Sequence, residues 1–222
     1  MFRPSARAML LLTFLTHLSL VSALSSPLAD HDVQEQVWTV PITPGGPTVT
    51  VNGTVQQLFS QLTKLNPNYE AEFPPRTPGM LEPRPESGSI GKRDDIEDDE
   101  HGVKYHRVVR IACGHDFYEV PLKAKYDPIV ENIVVKYLEK VGGQPTQMPK
   151  TCSRVSCAWD VGIWWCNHND EQFTLESFKV IAAGARQIFD ACVTQSAERD
   201  GAGQIEFDSG WSVIYRAKNK NC

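Results

Sequence analysis

The chain predicts an α+β fold of the ferredoxin-like (split βαβ) kind, a two-layer sandwich of an antiparallel sheet with two helices on one face and three disulfides. Three observations point there. All six cysteines, Cys113, Cys152, Cys157, Cys166, Cys192 and Cys222, lie beyond residue 112, an even set that reads as a disulfide framework behind a secretory leader. In the same half the apolar periodicities run strand, helix, strand, strand, helix, strand. The stretch 104–222 is about 120 residues long, enough for one core and small enough to gain from covalent bracing.

Taken in chain order, residues 1–23 have the parts of a signal peptide. Arg3 and Arg7 precede the apolar run Met9–Val21, and Val21-Ser22-Ala23 supplies small residues before the expected cut at Leu24. At 13 residues the run falls short of the roughly 20 that cross a bilayer, and no second such run follows, so no membrane span is expected. Residues 24–93 read as a pro-segment. Val37–Thr50 carries short strands around a Pro-Gly-Gly turn, and Val55–Leu65 places Val55, Leu58, Leu62 and Leu65 on one side of a helix. Asn52-Gly53-Thr54 is a glycosylation sequon at Asn52. From Phe73 to Gly91 the composition turns to Pro, Gly, Ser and charge, the signature of an open linker. It ends in Lys92-Arg93, a dibasic pair of the sort that kexin-type proteases cut, followed by the acidic run Asp94–Glu100. The expected mature domain is 94–222.

Within that domain Lys104–Cys113 contains a Val/Ile-rich strand that Phe117–Leu122 continues or pairs with. Asp127 caps a helix whose first turn holds Pro128, whose apolar face is Ile129, Ile133, Val134, Tyr137, Leu138 and Val141, and whose stop is Gly142-Gly143. Strands Arg154–Trp159 and Ile163–Asn167 turn at Asp160-Val161-Gly162. A second helix, capped by Thr174, buries Phe178, Ile181, Ala182, Ala185, Ile188, Phe189 and Cys192. Gly203–Asp208 and Trp211–Arg216 form one long bulged strand or a hairpin turned at Ser209-Gly210. Six cysteines allow fifteen pairings, and spacing alone does not choose among them.

The segment CSRVSCAWDVGIWWCNHN (Cys152–Asn169), the apolar helix ending at Cys192 and the closing GQIEFDSGWSVIYR with its final cysteine resemble the killer-toxin-like proteins and the related extracellular necrosis-inducing effectors of plant-associated fungi. The resemblance implies a compact α/β sandwich, kexin processing, and a toxin or effector role outside the producing cell, with a host or competitor target as partner.

For catalysis the chain offers no nucleophile elbow, zincin motif, P-loop or dinucleotide fingerprint. His106, His115 and His168, with Glu206 and Arg216, are the residues from which a ribonuclease-like acid–base site would be built. His115-Asp116 and His168-Asn169-Asp170 lack a diagnostic metal spacing, and neither a metal nor a cofactor is expected. A net charge of −5, without a basic stripe or basic amphipathic helix, argues against nucleic acid and membrane-surface partners. Trp164 and Trp165 are the candidate recognition residues: alternation sends them to opposite sides of their strand, so one faces away from the helices. Function is therefore expected to be secreted and effector-like or toxin-like, the alternatives being a small secreted hydrolase or a cell-wall glycan-binding protein.

Overall fold

Val161, Ile163 and Trp165 belong to one buried apolar cluster and Trp164 and Cys166 to another, although all five are close neighbours on one strand. That strand is therefore covered on both faces, where a single helical layer would cover one. The computed structural model describes residues 24–73, 106–114, 128–194, 202–217 and 222. The expected leader, the Pro-rich linker, Lys92, Arg93, His115, the Phe117–Leu122 strand and the Asp127 cap lie outside the described residues.

Among the described residues ten strands and four helices follow in order: β1 (Asp32–Val33), β2 (Val37–Pro41), β3 (Thr48–Asn52), α1 (Val55–Leu65), α2 (Tyr69–Glu72), β4 (Val108–Cys113), α3 (Pro128–Lys140), β5 (Thr146–Gln147), β6 (Thr151–Ala158), β7 (Val161–Asn167), β8 (Phe173–Thr174), α4 (Phe178–Ile188), β9 (Ala202–Phe207) and β10 (Trp211–Ala217). A π-helical turn, Phe189–Thr194, prolongs α4. The main sheet has six strands in the order β1-β6-β7-β10-β9-β4. β1 runs parallel to β6 and the other neighbours are antiparallel, so the sheet is mixed. Hairpin β2–β3 and the short pair β5–β8 stand apart from it.

α3 and α4 pack on each other, α3 against β6 and β7, and α4 against β9 and β10. Both helices lie on one face, as the periodicity implies. Every residue expected on the apolar face of the second helix is buried. Ser177, not Thr174, caps it by accepting the Lys179 backbone N–H, because Thr174 is taken up in the β5–β8 pair. The fit of α4 and its extension onto β9 needs Gly203, where a Cβ would collide with Ile188 and Cys192.

The strand order departs from the ferredoxin-like expectation. That fold sets the first strand of the module inside the sheet. Here β4 lies at an edge beside β9, and β10 takes the place next to β7. The cause is that Gly203–Arg216 is two strands, a hairpin turned at Asp208–Gly210, and both enter the sheet between β4 and β7. α3 then carries the chain from one edge strand to the far side of the sheet.

Residues 24–73 are built into this architecture. Trp38, Val40, Val51, Val55, Leu58, Phe59 and Leu62 share one buried cluster with the inner faces of α3, α4 and the sheet. In α1 the buried face holds Phe59 in place of the expected Leu65, which is half-exposed at the helix end. Leu24, Leu28 and Val33 cover the opposite face, over Trp164, Ile214 and Ala202. Among the described residues no helix is long and apolar enough to cross a membrane.

Candidate recognition site

The three disulfides are Cys113–Cys192, Cys152–Cys166 and Cys157–Cys222. The first ties edge strand β4 to the end of the second helix. The second links directly paired positions of β6 and β7. The third holds Cys222 against β6, one residue before the end of that strand. The last two brace the base and the shoulder of one hairpin, β6–β7.

At the tip of that hairpin stands Trp159. Ala158 pairs with Val161, so the loop is the two residues Trp159 and Asp160, with φ values of +55° and +62°. A two-residue loop with both central residues at positive φ matches the right-handed twist of the strands, which is why Asn-Gly and Asp-Gly usually occupy it. A bulky residue there costs about 1–2 kcal/mol in Cβ crowding. Trp159 accepts that cost and gains no burial in return, since its relative exposure is 71%. A strained, exposed aromatic on a disulfide-braced turn is the kind of outlier from which a functional role is inferred.

Trp164 and Trp165 do point to opposite sides, but the structure buries both, at 2% and 0% exposure. The Trp165 indole N–H donates to the Gln36 side-chain oxygen at 3.0 Å. Trp164 lies beneath Leu24, Leu28 and Val33. As recognition residues they are corrected by this packing: the face of the sheet turned away from the helices is not open, because the N-terminal segment occupies it.

Of the candidate histidines, the described pair His106 and His168 is not assembled. His106 sits on the helix side, where its Nε2–H donates to Glu176 at 3.1 Å and its Nδ1 accepts the Trp211 indole N–H at 3.2 Å. Both ring nitrogens are thus committed to holding the sheet end against the start of the second helix. His168 belongs to the other face. Its Nε2 shares a 2.8 Å hydrogen bond with Ser212 Oγ, and its ring meets that of His31 edge-on at 4.8 Å. Glu206 is the β9 partner of Ser212, so it comes near this group in register, and Arg216 lies two positions further along its face of β10. The His106–His168 acid–base pair is therefore absent, the sheet standing between the two rings. Among the described residues no cluster of three or more His, Cys, Asp or Glu side chains is placed to hold a metal ion.

Burial, more than any neighbouring charge, keeps His168 neutral. His31 Nδ1–H donates to the Asp30 carboxylate at 2.8 Å, and this hydrogen bond lowers the Asp30 pKa. Burial, with help from the neighbouring His31 and Lys150 and against the pull of Asp30, holds His168 at about 4, below its ordinary 6.5. A histidine with a depressed folded-state pKa contributes stability that is present above its unfolded value and lost as pH falls through the folded one. Stability should therefore fall between about pH 6.5 and 4 by up to ~2 kcal/mol, the ring being partly solvated. Urea midpoints across that range test this, and His168→Gln should flatten the profile; an equally steep fall in the variant would assign the loss to other groups.

A groove of about 810 Å³ runs between the β2–β3 turn and the loop after α3, past Pro41, Pro44, Phe73 and Val141. Its charged rim is largely paired off, Glu139 with Arg186, Lys140 with Glu70 and Glu176 with His106. Such a lining suits a contact surface better than acid–base chemistry. Asn52, at the end of β3, is exposed. Comparison of the chain with protein-family models, curated proteins and solved structures gave no significant match.

Proposed function

We propose that this is a secreted effector or toxin-like protein that acts outside the producing cell by binding a host or competitor target, with Trp159 as its central contact. The observation that carries the reading is the exposed indole on the strained tip of a twice-braced hairpin. Large aromatics supply much of the energy at protein interfaces, and a tip fixed by β6–β7 pairing loses little conformational entropy on binding. The three disulfides are compatible with an oxidising extracellular setting.

The test compares residues 24–222, oxidised, with Trp159→Ala and Trp159→Asn on plant leaf tissue and on competing fungal cells. Both variants should lose at least tenfold in cell-death or growth-arrest potency. Trp159→Asn should keep or slightly raise the melting temperature, because asparagine tolerates positive φ. Full potency in both variants would defeat the proposal. The wall-glycan reading uses the same side chain: pull-down on chitin or glucan that depends on Trp159, without effects on either cell type, would favour it.

A further inference from the structure

Residues 24–73 contain no cysteine, so no disulfide can fasten them to the rest of the chain. Their contacts are nonetheless those of a permanent layer. The Trp38 ring is fully buried and stacks on Phe178 of α4 at 4.2 Å between centroids. Gln36 accepts the only hydrogen bond that the Trp165 indole makes among the described residues. β1 extends the sheet beyond β6, with Asp32 opposite Thr151 and Val33 opposite Cys152. Ser153 Oγ donates to the Gln34 carbonyl at 2.8 Å. Where β1 ends, a side chain continues the edge: Gln56 of α1 accepts the Cys157 backbone N–H at 3.0 Å and donates to Ser156 Oγ at 2.6 Å. The segment thus covers the helix side, the opposite side and one edge of the same sheet.

We infer that these residues stay seated as a second subunit once the connection at Lys92-Arg93 is cut, and that the working protein is a two-chain, non-covalent assembly rather than 94–222 alone. Cleavage by a kexin-type protease adds one water across the Arg93–Asp94 bond, leaving a carboxylate on Arg93 and an ammonium on Asp94. None of the contacts above involves that bond. Without the segment, Trp164, Trp165 and Phe178 would be uncovered and the backbone of β6 would lose its edge partner, a state that large apolar exposure and an unpaired strand both disfavour.

The experiment starts from the whole secreted chain, 24–222, nicked in vitro by a kexin-type protease. A variant in which a site-specific viral protease sequence replaces Lys92-Arg93 gives the same nicked state whether or not kexin acts. Under non-reducing native conditions both polypeptides should co-elute at the size of the uncut protein, with a native mass equal to the intact chain plus one water, and should separate only in denaturant. In the nicked Trp38→Ala protein the dissociation constant should rise at least tenfold. Departure of the 24–93 piece from 94–222 on nicking, whether the larger piece stays soluble or precipitates, overturns the inference. The result does not depend on any target, so it stands apart from the Trp159 test.

Discussion

Replacing Trp38 with alanine is expected to cost about 3–5 kcal/mol of folding stability, the range for truncating a large aromatic in a packed interior. The indole has no exposed surface, and its ring lies against Phe178 while its N–H donates to the Gly53 carbonyl at 2.7 Å. Truncation removes dispersion contacts on both sides of the ring and leaves the Gly53 carbonyl short of a donor. The residue also joins hairpin β2–β3 to α4, so its loss should loosen the N-terminal segment before the disulfide-bonded remainder. Urea unfolding followed by near-ultraviolet circular dichroism measures the change. A cost below about 1 kcal/mol would mean that the segment rests on the core without belonging to it.

The second large effect concerns Cys113–Cys192, which spans 79 residues. In the chain-entropy account its removal as a double alanine variant releases about 4 kcal/mol of constraint on the unfolded state, against about 3 for the Cys152–Cys166 link, which spans 14 residues. Native geometry widens that gap. Cys152 and Cys166 face each other on strands already joined by a full hairpin ladder, so their order survives reduction. Among the described residues Cys113 is on an edge strand with a single neighbour, β9, and Cys192 is in the π-helical turn beyond α4. The order of loss in guanidinium midpoints should therefore be Cys113–Cys192 first. If the short link proved the more costly, local strain or residual unfolded-state structure would outweigh loop entropy here.

Local features of the fold were legible because local chemistry decides them. The helix at Val55–Leu65 and the two strands around Pro44-Gly45-Gly46 follow from periodicity and turn residues, and the structure has them at those positions. The order of strands did not follow, since β4 pairs with β9 across about ninety residues of sequence and nothing near either strand encodes that choice. Alternation correctly separated Trp164 from Trp165, yet alternation does not say what covers a second face. The cover comes from Leu24, Leu28 and Val33, three apolar residues in a stretch with no strong period of its own. A cysteine-free N-terminal half reads as leader and pro-segment, and that reading does not foretell how residues 24–73 pack on the sheet.

The place of Trp159 at the hairpin tip escaped for a related reason. Trp-Asp lacks the Asn-Gly or Asp-Gly signature of a positive-φ hairpin loop, so sequence placed the turn one residue late, at Asp160-Val161-Gly162, and left Trp159 inside a strand. The exposed turn has a consequence for how the molecule reports on itself. Of its five tryptophans, Trp38, Trp164, Trp165 and Trp211 are shut away from water and Trp159 alone is open to it. A collisional quencher in solution therefore meets one indole and spares four, and anything that settles on the tip shields that same ring, so the protein carries an unlabelled optical signal at the place where contact is proposed.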